Sequence, residues 1–117
     1  MSQYTIYHNP RCSKSRQTLQ LLEDANVDVN IVEYLKTPLN KEQLIELGQL
    51  LNVEPLAMMR PKEAEFKELG LSKDSSADAL LDGMVKAPKL IERPIVVHGD
   101  KACIGRPPEN VLALIEQ

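Results

Sequence analysis

Tyr4-Thr5-Ile6-Tyr7-His8-Asn9-Pro10-Arg11-Cys12-Ser13-Lys14-Ser15-Arg16 is the stretch on which the fold turns. Its first residues are β-branched or aromatic, which suits a strand, and Asn9-Pro10 ends the run in a turn. Beyond Cys12 the apolar spacing becomes helical. Thr18, Leu19, Leu22 and Ala25 share one face, Leu21 widens it, and Asn26 is a natural stop. Val27-Asp28-Val29-Asn30-Ile31-Val32-Glu33-Tyr34 then alternates with period two and ends before Thr37-Pro38. Strand, helix and strand of these lengths make a βαβ unit, with a right-handed crossover and parallel strands.

Working outward, residues 40–86 carry helical signals. Asn40 with Gln43 three positions on reads as a capping box ahead of Leu44, Leu47 and Leu51. Ser75 with Asp78 opens a second helix that carries Leu80, Leu81, Met84 and Val85 and ends before Pro88. A short helix is expected over Lys62 to Leu69. Pro94 to His98 and Lys101 to Ile104, joined by Gly99-Asp100, read as a hairpin. Pro107 is expected to open a last helix that buries Val111, Leu112, Leu114 and Ile115. The predicted order is β-α-β, a helical insert over about 38–88, then β-β-α. That is a thioredoxin-like α/β order, compatible with a four-stranded mixed sheet in a single domain spanning 1–117.

The composition agrees with one ordinary soluble domain: 117 residues, 43% hydrophobic and 26% charged, enough to bury about two-thirds of the unfolded chain's surface. Four aromatic residues (Tyr4, Tyr7, Tyr34, Phe66) are too few for base-stacking platforms, and a net charge of -3 opposes binding to nucleic acid or an anionic membrane through the overall field. The N-terminus reaches polar His8-Asn9-Pro10-Arg11 without an apolar leader, and no apolar run approaches membrane-spanning length, so a cytoplasmic protein is expected. Two cysteines (Cys12, Cys103) and two histidines (His8, His98) at no ligand spacing make a structural metal site unexpected.

Cys12 sits where the helix begins. The first helical turn leaves backbone N–H groups such as those of Lys14 and Ser15 without intrahelical partners, and their partial positive charge favours a thiolate and a bound oxyanion. Arg11, Lys14 and Arg16 add charge nearby in sequence. A thiol near its ordinary value is only about 3% ionised at neutral pH, whereas one near ~6.5 is about three-quarters ionised. Spacing then narrows the chemistry. A tyrosine-phosphatase loop needs Cys-x5-Arg, but position 18 is Thr18; a dithiol redox motif needs a second cysteine at position 15, which is Ser15. What remains is a one-cysteine nucleophile regenerated by an external thiol.

The arginines supply an independent signal. Of five, three directly precede proline: Arg60-Pro61, Arg93-Pro94 and Arg106-Pro107. Random placement gives roughly 0.3 such pairs, and a residue before proline is held extended. Arg suits a tetrahedral oxyanion because its planar fork donates two parallel hydrogen bonds and stays charged. In a thioredoxin-like arrangement Pro94 is cis and brings Arg93 against the Cys12 loop. His8 either orients that loop or modulates the thiolate. Cys103, between Ala102 and Ile104, reads as a buried inert thiol, and His98 beside the turn as exposed.

The loop His8-Asn9-Pro10-Arg11-Cys12-Ser13-Lys14-Ser15-Arg16 resembles that of the glutaredoxin-coupled ArsC arsenate reductases. Arg60, the Arg93-Pro94-Ile95-Val96-Val97 segment and Arg106-Pro107 resemble that family's three oxyanion-binding arginine positions. The resemblance implies that Cys12 attacks arsenate, that Arg60, Arg93 and Arg106 neutralise it, that His8 tunes the thiolate, and that Ser15 donates a hydrogen bond to the sulfur. It implies glutathione as co-substrate, glutaredoxin as the resolving partner, no bound cofactor or metal, and a monomer. Two other classes stay open: a thiol reductase or transferase for another oxidised substrate, and a regulator similar to the RNA polymerase-binding Spx proteins. The latter commonly carry a Cys-x-x-Cys switch, which Ser15 removes here.

Overall fold

A computed structural model describes residues 3–115. The chain forms two compact units, one made of Met1–Thr37 with Arg93–Gln117 and the other of Pro38–Glu92.

In the first unit the β-branched run forms β1 (Tyr4–Tyr7), followed by α1 (Ser13–Asp24) and β2 (Val29–Val32). The hairpin strands are β3 (Ile95–His98) and β4 (Lys101–Ile104), and the sheet order is β2-β1-β3-β4. β1 runs parallel to β2 and antiparallel to β3, with Tyr4 facing Val29 on one side and His98 on the other. The fold is thioredoxin-like α/β. β2 is shorter than the eight-residue alternation suggested, because its partner, β1, has four residues and because Glu33 starts a turn whose carbonyl accepts from the N–H groups of Lys36 and Thr37. α1 covers the sheet with Leu22, which joins Tyr4, Ile6, Val96, Val111 and Leu114 in the core. Full burial of Ile6, Leu22, Val96 and Val111 stabilises the unit by about 1.5–3 kcal/mol for each side chain.

Three expectations for this unit are corrected. Pro107 does not open the last helix: it is extended, Pro108–Val111 form a 3-10 turn, and only Leu112–Ile115 are α-helical (α5). A helix this short has one inner stripe, so Val111 and Leu114 are buried while Leu112 faces outward. His98 is not simply exposed. Its ring stacks on Tyr4 at 3.9 Å between centroids and 8° between planes, as their facing positions in neighbouring strands allow.

The second unit holds α2 (Lys41–Leu51), α3 (Ala64–Glu68) and α4 (Ala77–Lys86), with 3-10 turns at Pro55–Met58 and Pro88–Leu90. Asn40 and Gln43 form both bonds of the capping box. The cap of α4 is Ser76, not Ser75: the Ser76 hydroxyl accepts from the Ala79 N–H, while that of Ser75 is occupied by the Ser72 N–H. α3 falls short of Lys62–Leu69 at both ends: Glu63 is extended, with ψ 145°, and the chain leaves the helix at Gly70, which has a φ of +73°. Leu44, Met58, Met84 and Leu90 are fully buried, and Lys41 at the start of α2 pairs with Asp78 and Asp82 of α4.

Gly105 fixes how the chain leaves β4. Its N–H donates to the Pro94 carbonyl at 2.9 Å. A Cβ here would lie 2.6 Å from Thr18 Oγ1 and 2.9 Å from Pro94 Cγ. Neither neighbour yields easily, since Pro94 is a ring and the buried Thr18 hydroxyl donates to the Lys14 carbonyl at 2.8 Å. Gly105→Ala is therefore expected to destabilise the fold by about 1–3 kcal/mol, seen as a melting temperature lower by several degrees; an unchanged value contradicts this packing.

Candidate active site

Cys12 is the residue before α1, extended at φ -95° and ψ 123°, so its sulfur stands beside the backbone N–H groups of the first helical turn. The loop that presents it is internally tied. The Asn9 carbonyl accepts from the Cys12 N–H at 3.0 Å, and the Asn9 side-chain oxygen accepts from the Arg11 N–H at 3.0 Å. The sulfur is half-buried, and burial by itself pushes its pKa up. Donation from the Ser15 backbone N–H, the Arg93 guanidinium and the Lys14 backbone N–H outweighs this, so the net displacement is below the ordinary thiol value.

Arg106 completes the surroundings of the sulfur. Its Nη2 donates to Cys12 Sγ at 3.6 Å, and its Nε donates to the Arg93 carbonyl at 2.9 Å, so one arginine braces the other. Both arginines precede proline in a cis peptide bond. Burial acts to lower the Arg93 pKa, but its contacts with Cys12 and Tyr34 outweigh that and raise it. The structure thus brings together Cys12, Arg93 and Arg106. Arg60 belongs to the second unit, where its Nε donates to Glu63 at 3.3 Å and its Nη1 to Glu92 at 3.1 Å.

His8 and Ser15 form a buried pair, with His8 Nδ1 and Ser15 Oγ 2.7 Å apart. The Asn9 N–H donates to the same hydroxyl at 3.0 Å. Burial lowers the His8 pKa most; Glu33 raises it and Arg16 lowers it further, so the net direction is below the ordinary imidazole value and favours the neutral ring. The Ser15 hydroxyl is thus tied to His8 and Asn9, while the Ser15 backbone N–H favours the Cys12 thiolate. One expectation about the nearby charges is corrected. Arg16 turns back to the Pro10 carbonyl at 2.9 Å, and the positive charge that acts most on Cys12 is that of Arg93.

Sequence reasoning passed over Tyr34, which is fully buried after β2 and in contact with Arg93. The one sequence signal for it is an aromatic residue at the end of an alternating strand, which by itself reads as core. Among the described residues no cluster of His, Cys, Asp or Glu could hold a metal ion, and no helix is long and apolar enough to cross a membrane.

Residues 7–114 match the ArsC family, a span that includes Cys12 and all three Arg-Pro pairs. The chain belongs to the ArsC family. It is 50% identical to the uncharacterized protein YfgD of Escherichia coli (strain K12), over 97% of each chain. It is 45% identical to the arsenate reductase of Neisseria meningitidis serogroup A, over 98% of this chain and the whole of the relative. The structure of an arsenate reductase from Vibrio cholerae superimposes with a TM-score of 0.92 at 50% identity, covering 96% of this chain and 97% of the other.

The two thiols of this ArsC protein lie in opposite environments. Cys103 packs against the core of the first unit, and burial pushes its pKa up to about 11. A small alkylating reagent at pH 7 is expected to modify Cys12 alone, with the second thiol reacting only in denaturant. Peptide mapping that finds equal labelling of both in the native protein refutes this difference.

Proposed function

We propose that this ArsC protein reduces arsenate to arsenite, with Cys12 as the nucleophile. The supporting observation is the sulfur itself, which stands at the start of α1, accepts from Arg106 Nη2 and has its pKa lowered by the first-turn N–H groups and Arg93. That arrangement stabilises a thiolate and offers donors to an oxyanion beside it. The thiolate attacks As(V), and one arsenate oxygen leaves as water after taking up protons, giving a Cys12 thioarsenate. The thiol of glutathione, the co-substrate, displaces a second arsenate oxygen as water to give a Cys12-S-As-S-glutathione intermediate. The glutaredoxin thiolate attacks the glutathione sulfur, the pair of the broken As–S bond passes to arsenic to make As(III), and water displaces Cys12 to release arsenite. Over the cycle two thiols become one disulfide, and the two electrons they surrender take As(V) to As(III).

In this reading Arg93, Arg106 and Arg60 neutralise the oxyanion. Neutral His8 holds the Ser15 hydroxyl, and with it the first turn of α1, so that the Ser15 N–H stays aimed at the sulfur. No bound cofactor or metal takes part, and the protein works as a monomer in the reducing cytoplasm. The test is arsenate-dependent NADPH oxidation by purified protein, coupled through glutathione, glutaredoxin and glutathione reductase. Oxidation that needs both the protein and arsenate supports the reading. A mixed disulfide between Cys12 and glutathione that turns over without arsenate replaces it with thiol transfer to another oxidised substrate.

A further inference from the structure

Arg60 is held by more than a surface contact. Its side chain and those of Glu63 and Glu92 are each less than a quarter exposed. Their backbones are fixed as well: the Arg60 N–H donates to the Leu90 carbonyl at 2.7 Å, the Glu92 N–H to the Met58 carbonyl at 2.8 Å, and Met59 bridges Ile91 between them. The Glu63 N–H donates to the Arg60 carbonyl at 3.1 Å. Two carboxylates therefore stand against one guanidinium in a rigid frame, and the trio carries one net negative charge.

A guanidinium grips an oxyanion along an edge, either Nε with Nη2 or Nη1 with Nη2. Glu63 holds Nε and Glu92 holds Nη1, so each edge has one of its two nitrogens already engaged. An oxyanion taking a two-point grip has to displace one carboxylate while meeting the charge of the other. We propose that Glu63 and Glu92 are affinity-setting residues that compete with the oxyanion for Arg60 and weaken its binding in the unaltered protein. This inference rests on the reading of Arg60 as an oxyanion ligand. The competition is steeper for a dianion than for a monoanion, because the repulsion scales with the incoming charge.

The test uses inorganic sulfate, a tetrahedral dianion that thiols do not reduce, and reads its affinity from protection of Cys12 against iodoacetamide. Glu63→Gln and Glu92→Gln, both nearly isosteric, are each expected to tighten sulfate binding by about threefold to tenfold with melting temperatures near that of the unaltered protein. In an Arg60→Ala background the same substitutions lose this effect. If Arg60→Ala alone leaves sulfate affinity unchanged, the assignment of Arg60 to the oxyanion is wrong, and this inference falls with it. If Arg60→Ala weakens sulfate binding but the glutamine variants leave it unchanged or weaker, the carboxylates orient Arg60 instead of competing for it, and the inference alone is overturned. Tightening that persists without Arg60 overturns it too.

Discussion

Replacing Cys12 by serine is expected to take arsenate-dependent NADPH oxidation to background, a loss on the order of a thousandfold or more, with little change in melting temperature. The donors around the sulfur lower a thiol pKa that starts within reach of neutrality, whereas a serine hydroxyl starts far too high for the same donors to ionise it. Cys12 is half-buried at the start of α1, where serine is close to it in size and suits a helix cap, so the substitution removes chemistry without removing packing. Cys103→Ser is the internal control. Its side chain is opposite Val96 across the β3–β4 pair and against the core, so serine there costs about 1 kcal/mol of stability and leaves turnover intact. Equal loss of turnover in the two variants ends the single-nucleophile assignment.

Arg93→Ala is expected to cost about 10²- to 10³-fold in turnover, the range for loss of one preorganised donor to a developing oxyanion. Two effects combine in that loss, and pH separates them. The Arg93 guanidinium favours the Cys12 thiolate, so its removal moves the Cys12 pKa upward. At pH 7 less of the protein is then in the reactive form, and raising the pH restores that share. The part of the deficit due to lost oxyanion contacts stays at every pH. Alkylation of Cys12 followed against pH should therefore show its midpoint displaced upward in Arg93→Ala, with the turnover deficit shrinking as pH rises. Arg93→Lys keeps the charge but not the fork, and it should recover more of the thiolate shift than of the sulfate affinity. An unmoved alkylation midpoint in Arg93→Ala removes Arg93 from thiolate stabilisation.

Local signals carried most of the fold. The period change at Cys12, the Asn40–Gln43 box and the Gly99-Asp100 turn each depend on a few neighbouring residues, and each marks an element that forms. Local signals fail where two neighbours are chemically equivalent. Ser75 and Ser76 are both competent caps, and the choice was made by Ser72, whose N–H occupies the Ser75 hydroxyl. At the candidate site, the position of the thiol at a helix start was legible because it follows from strand, turn and helix in order. The approach of Arg93 was legible too, from the Arg93-Pro94 pair in a thioredoxin-like order. What was not legible is its weight against Arg11, Lys14 and Arg16, which are nearer in sequence, or the link from Tyr34 to Arg93, which joins two distant segments.

The contact between Arg106 and Cys12 spans 94 positions, which gives the reactivity of the thiol a place in the history of the chain. Protein synthesis proceeds from the N-terminus at about 5–20 residues per second, so Cys12 is made roughly 5–20 s before Arg106. Through most of that interval neither Arg93 nor Arg106 has been made, and Cys12 has the modest acidity of any cysteine in a growing polypeptide. Its nucleophilicity arrives with the last part of the chain, and an incomplete product carries the cysteine without the capacity to use it.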